Sequence, residues 1–131
     1  NYKIRARIRG QHDTLAEFYE PGHPTRALEL TLAILKAFRV EAARRSQKGM
    51  VLLLPTLETL TYHAKTGVWV HQSLLEHLDR ENIPYRDFGP YIVSRRDRDF
   101  GAYFAASRHY NERGDALLAR MMAETLTRGS Q

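Results

Sequence analysis

The sequence contains no cysteine, so disulfide bonds, thiolate nucleophiles and cysteine-ligated zinc are excluded for these 131 residues. No apolar run approaches the roughly 20 residues that a membrane-spanning helix needs, so we expect no membrane span. The basic opening segment is not followed by the apolar core of a signal peptide. The histidines and acidic residues do not form the pattern H-E-x-x-H, and we predict neither a metal nor a cofactor.

The net charge is positive. Twenty lysines and arginines outnumber fifteen acidic residues, which gives a formal charge of +5 and an isoelectric point of about 9.7. Nucleic acid or a membrane surface is one class of partner for such a chain. The two signs are mixed along the whole sequence, however, and no zinc-finger spacing or RNA-binding aromatic motif occurs. We therefore favour a solvated basic surface over a nucleic-acid interface.

Hydropathy patterns predict helices that alternate with strands. The predicted elements are a strand over 2–9, a helix from near Pro24 to the stop at Gly49, a strand buried on both faces over 50–54, a helix over 68–82 with Asn82 as its stop, a strand over 83–88 and a helix from Asn111 to Gly129. The segment 56–67 is predicted as a loop or short helix. The segment 89–108 has no clean period and is predicted as a long loop.

This alternation is typical of an α/β fold, in which helices cover a parallel sheet. We predict one partial domain over 1–131, with an N-terminal strand and loop over 1–22 and alternating helix and strand units over 23–131. Two clear strands make a thin sheet. Because the chain also begins with Asn1 and not Met, we expect it to be the second half of a longer α/β domain.

His109 is the residue that most suggests chemistry. It lies two positions before the predicted helix cap Asn111, where a cation is disfavoured and a neutral imidazole is tolerated. In α/β sheets, sites form beyond the carboxyl ends of the strands. We expect the loop from Pro55, the strand end at Asp87 and the loop carrying His109 to converge there, with His109 as a general base. The alternative is a surface histidine at a helix start.

The segment "HYNERGDALLARMMAETL", residues 109–126, resembles the last block of the SGNH hydrolases, also called the GDSL esterase and lipase superfamily. The matching positions are His109, Asn111, Gly114 and the "LLA" at 117–119. Upstream segments are compatible with bacterial SGNH-like proteins, so the resemblance covers roughly residues 25–128. It implies a three-layer α/β/α, flavodoxin-like fold and ester hydrolysis. A serine in an N-terminal Gly-Asp-Ser motif would attack the carbonyl, with His109 as its general base.

The sequence departs from that family at several places. The Gly-Asp-Ser block and the blocks that supply the oxyanion-binding glycine and asparagine are absent, and Ala106 stands where the family carries its aspartate. Asp99 or Asp87 is predicted to orient His109 instead, unless a backbone carbonyl does so in a Ser–His dyad. Asn111, Pro55 and Thr56 are the further residues expected to shape the site.

Two functions follow from these observations. In the first, the chain is the C-terminal portion of a serine esterase or acyl-transferring relative that acts on a small-molecule or carbohydrate acyl ester. The nucleophile then lies outside these residues, and the 131 residues alone are inactive. In the second, the chain is a non-catalytic, degenerate α/β module that binds a glycan, an anionic ligand or a partner protein.

Overall fold

A computed structural model describes residues 15–95 and 99–128 of the chain. Residues 15–17 are helical. The elements that follow are α1 (Ala27–Arg44), β1 (Val51–Leu53), α2 (Leu57–Thr66), α3 (Gln72–Arg80), β2 (Tyr85–Asp87), α4 (Phe88–Val93), a 3₁₀ helix (Phe100–Tyr103) and α5 (Glu112–Arg128). The strand predicted over 2–9 and the helix stop at Gly129 lie outside the described residues.

The described chain is a mixed α/β structure. β1 and β2 pair as a two-stranded parallel sheet, and the Val51 N–H donates to the Pro84 carbonyl at 2.9 Å beside it. The predicted order of helix, strand, helix, strand and helix is confirmed. The segment predicted as a loop or short helix is the helix α2. No helix in the described ranges is long and apolar enough to cross a membrane.

The chain divides into two compact units. The first unit contains the described parts of Asn1–Val51 and Tyr62–Arg86, and in it α1 packs against α3. Its buried apolar side chains are Leu28, Leu32, Ala42, Val51, Val70, Leu74, Leu78 and Ile83. The second unit contains the described parts of Leu52–Thr61 and Asp87–Gln131, and in it α5 packs against the 3₁₀ helix and α4. Its buried apolar side chains are Leu60, Phe88, Ile92, Tyr103, Phe104, Leu117 and Met121.

The bounds of α1 correct the prediction. The helix begins after Arg26, which has a left-handed φ of 52°, so Pro24 precedes the first turn. It ends in a Schellman-type turn in which the Gln47 N–H donates to the Ala42 carbonyl and Ser46, at φ 56°, takes the left-handed position. Gly49 therefore does not end this helix. The same turn ends α3, where Asn82 takes the left-handed position, so the predicted stop at Asn82 is confirmed.

Apolar residues recur along α1 at helical spacing, and only some of them are buried. Leu28 and Leu32 are buried, whereas Leu30 and Ile34 are 60% and 59% exposed. The four side chains lie on opposite sides of the helix, because positions two apart differ by about 200° around its axis. α1 packs against α3 along the side that carries Leu28 and Leu32, and the other side faces outward.

Two further predictions were wrong. The run 50–54 is not buried on both faces, because only Val51 is buried and Leu54 is 46% exposed. Among the described residues β1 pairs with β2 alone, so it is an edge strand of the sheet. The segment 89–108 is not one loop, since α4 and the 3₁₀ helix occupy much of it. Helices of six and four residues are too short to show a helical period.

Candidate functional site

The loop that carries His109 contacts the segment that follows β1. The Tyr110 hydroxyl donates to the Pro55 carbonyl. Burial, and after it the charge of Asp87, raises the pKa of Tyr110 well above its ordinary value. Three segments of the second unit thus meet at one tyrosine, as the sequence predicts for the loop from Pro55, the strand end at Asp87 and the His109 loop.

His109 lies beside Tyr110 at the end of this loop, with an exposed side chain. Phe104 and Tyr110 form an antiparallel bridge across the loop's base. Inside it, the Ala105 N–H donates to the His109 carbonyl at 2.8 Å and the Arg108 N–H donates to the Ala105 carbonyl at 2.9 Å. Within the described ranges the imidazole itself makes no hydrogen bond or ion pair. The backbone is therefore held while the ring nitrogens remain available for chemistry.

Asn111 and Gly114 fix the start of α5. The Asn111 Oδ1 accepts from the Gly114 N–H at 3.0 Å, and its Nδ2 donates to the Ala102 carbonyl at 3.0 Å. A Cβ on Gly114 would stand 2.5 Å from the Tyr103 carbonyl oxygen, closer than any side chain can approach. The predicted cap at Asn111 is confirmed. The spacing His-x-Asn-x-x-Gly thus has a local geometric cause, because cap and glycine together seat the helix that follows His109.

The Tyr110 ring anchors the loop to the buried part of the second unit. Its centroid lies 4.6 Å from that of Phe104 and 5.7 Å from that of Phe88, which is fully buried. The raised pKa keeps the phenol protonated into the alkaline range, so its hydroxyl remains a hydrogen-bond donor to Pro55 there. Tyr110 therefore fixes the position of the residue beside it.

Arg108 anchors the loop on the other side of His109. Its Nη1 lies 2.6 Å from the Glu58 Oε1, and the two side chains are 71% and 25% exposed. Arg108 has a left-handed φ of 66°, which costs a residue with a Cβ about 1–2 kcal/mol. An exposed ion pair contributes about 0–1 kcal/mol, so the contact offsets at most part of the strain. Sequence reasoning did not find Glu58, because fifty positions separate it from Arg108.

The predicted acids and Thr56 act as helix caps. The Asp87 Oδ1 accepts from the Gly89 N–H at 2.8 Å, and the Asp99 Oδ1 accepts from the Gly101 N–H at 3.1 Å. The Thr56 Oγ1 accepts from the Thr59 N–H at 3.2 Å at the start of α2. In the part of the chain that the structure describes, no hydrogen bond or ion pair joins Asp87 or Asp99 to His109. The structure therefore brings Pro55 and Asn111 close to the His109 loop but does not pair the histidine with either aspartate.

Two histidines of the first unit, His63 and His71, lie in an aromatic cluster. The His63 ring stacks on Trp69 with centroids 3.8 Å apart, and the buried His71 lies 5.6 Å from the same indole. Burial raises the pKa of the neighbouring Tyr19. Among the described residues no group of three or more histidine, aspartate or glutamate side chains is arranged to hold a metal ion. The cluster contributes packing to the first unit.

Comparison of the chain with protein-family models, with curated proteins and with solved structures gives no match. A function must therefore be inferred from the residues of the loop and from their geometry. These residues are His109, its two anchors at Arg108 and Tyr110, and the helix start at Asn111 and Gly114.

Proposed function

We propose that the chain is the C-terminal portion of an SGNH-like serine ester hydrolase or acyl-transferring relative, with a three-layer α/β/α fold and His109 as general base. The proposal depends on a contrast between the residues of one loop. Tyr110, Asn111 and Gly114 are all engaged in fixing the backbone, whereas the exposed imidazole between the anchors makes no hydrogen bond or ion pair in the described ranges. A residue whose backbone is fixed, but whose side chain does not stabilise the described structure through a hydrogen bond or ion pair, suits a catalytic role better than a packing role.

In the proposed reaction a serine outside these residues attacks the acyl carbonyl of a small-molecule or carbohydrate ester. His109 takes the serine proton as the new C–O bond forms, and returns it to the leaving alcohol as the ester bond breaks. A water molecule, or an acceptor hydroxyl in a transferase, then repeats the sequence on the acyl-enzyme. The imidazole must approach the serine oxygen to about 2.6–3.2 Å, which its exposed position allows.

The test is hydrolysis of p-nitrophenyl acetate and of longer acyl esters by the longest natural form that carries these residues. His109→Ala is compared with wild type and with His23→Ala, which removes a histidine of the first unit whose Nδ1 is hydrogen-bonded to the Thr25 Oγ1. We expect His109→Ala to lower kcat by about 10²–10⁴ with KM little changed. The His23→Ala control should retain wild-type activity.

The proposal fails if the longest natural form hydrolyses none of these esters, or if His109→Ala is as active as wild type. Loss of activity in both histidine variants would indicate damage to the fold and would be resolved by their unfolding curves. Retained folding with a selective loss at His109 is the supporting result.

A second candidate is the non-catalytic α/β module that binds a glycan, an anionic ligand or a partner protein. Ala106 stands at the position of the family's aspartate, and Asp87 and Asp99 are engaged as helix caps. This arrangement favours a domain whose histidine lacks an orienting acid. An ester-inactive natural form that binds an acidic polysaccharide, with affinity that falls as salt rises, would support this module over the enzyme.

A further inference from the structure

The residue before His109 and the residue after it each make one contact with the short segment from Pro55 to Glu58. Arg108 bonds the Glu58 carboxylate, and the Tyr110 hydroxyl bonds the Pro55 carbonyl three positions earlier. We infer that Glu58 is a positioning residue for His109, acting through its ion pair with Arg108. The catalytic consequence rests on the proposed function, whereas the effect on the loop does not.

The ion pair matters for the loop because the backbone of Arg108 is strained. A left-handed φ of 66° strains any residue with a Cβ, and a glycine at this position would be unstrained. The Arg108 side chain is 71% exposed, so burial of the side chain does little to offset that strain. The 2.6 Å contact with Glu58 acts directly on the strained residue. Loss of the contact therefore leaves the conformation next to His109 less stable.

The position of Glu58 is itself restrained by the helix that carries it. It lies in the first turn of α2, where the helix dipole favours a negative charge. Its side chain is only 25% exposed, so solvent screens it less than it screens most surface carboxylates. The cap at Thr56 and the carbonyl of Pro55 hold the same turn. The carboxylate thus restrains the loop from a rigid element, although it does not touch the imidazole.

The test uses three variants of the longest natural form. Glu58→Gln removes the charge and keeps the size of the side chain. Arg108→Ala removes the ion pair and keeps the backbone strain, whereas Arg108→Gly removes both. Glu112→Gln is the matched control, because it removes an exposed acid from the first turn of α5 in the same unit.

Two quantities are measured in each variant. The first is hydrogen exchange of the Ala105 amide, which donates to the His109 carbonyl and reports opening of the loop. The second is ester hydrolysis, with kcat and KM separated. We expect Glu58→Gln and Arg108→Ala to speed the exchange about fivefold. Arg108→Gly should speed it less than Arg108→Ala, and Glu112→Gln should leave it unchanged.

In the active enzyme kcat should fall in the same order as the exchange rises, with KM unchanged, because the loop positions a base and does not bind substrate. Unchanged exchange in Glu58→Gln, or equal exchange in Arg108→Ala and Arg108→Gly, overturns the inference. Faster exchange with an unchanged kcat overturns the positioning role. A wild-type protein without esterase activity refutes the proposed function, and the exchange data then still decide the role of the ion pair.

Discussion

The substitution Gly114→Ala tests whether the start of α5 is built as tightly as the structure indicates. In an open helix this change stabilises by about 1 kcal/mol, because alanine is the better helix former. Here the added Cβ would lie 2.5 Å from the Tyr103 carbonyl oxygen and 2.8 Å from the Tyr110 Cδ1. We therefore expect the opposite sign, with a less stable protein.

The magnitude follows from what must move. A comfortable C···O approach is about 3.3 Å, so the Tyr103 carbonyl must retreat by about 0.8 Å. That carbonyl accepts from the Asn111 N–H at 3.0 Å, and the bond would not survive the shift. Overpacking costs about 1–3 kcal/mol and the lost bond about 1 kcal/mol, against the gain of about 1 kcal/mol in helix propensity. The net loss is about 1–3 kcal/mol.

Urea unfolding of the longest natural form measures this loss, with Glu112→Ala as the control for an exposed site in the same turn. The midpoint should fall with the slope unchanged, because the substitution alters stability and not the surface exposed on unfolding. The control should change the free energy of unfolding by no more than about 0.5 kcal/mol. A Gly114→Ala protein as stable as wild type, or more stable, would refute the close approach of Gly114 to Tyr103.

Two further predictions concern stability. The raised pKa of Tyr110 means that the folded state holds the phenol proton more tightly than the unfolded state, so its contribution is present below about pH 10 and declines above it. In urea unfolding from pH 7 to 11, Tyr110→Phe should cost about 1 kcal/mol at pH 7 and flatten the alkaline decline, and an unchanged decline would contradict this. Leu28→Ala, at 2% exposure, should cost about 2–5 kcal/mol, whereas Leu30→Ala, at 60% exposure, should cost less than about 0.5 kcal/mol. Equal losses would show that α1 buries a different face.

Where a helix end is determined by a single side chain, the residue type at that position predicts the end. Asn111 caps α5 as predicted, because an asparagine before an amphipathic run satisfies the first N–H groups. Asn82 ends α3, because asparagine tolerates the left-handed conformation. Ser46 takes that conformation at the end of α1, although Gly49 is the stronger stop by composition. The hydrogen bond from Gln47 to Ala42 determined the end, and the sequence alone does not indicate it.

The contacts that build the site are less visible in the sequence. Tyr110 and Pro55 are 55 positions apart, and Arg108 and Glu58 are 50 apart. No periodicity or spacing rule reports such pairs, since they arise only when the elements pack. The sequence therefore predicts the cap at Asn111, which the structure confirms, and it nominates His109 as a candidate base with Asp87 or Asp99 as a candidate acid.

Covalent labelling tests the central proposal most directly. The longest natural form is treated with a fluorophosphonate, which reacts with activated serines, and the labelled residue is mapped in wild type and His109→Ala. The account predicts a label on one serine outside the 131 residues, formed far more slowly in His109→Ala. No label in the wild-type protein, or a labelling rate that does not depend on His109, would contradict it.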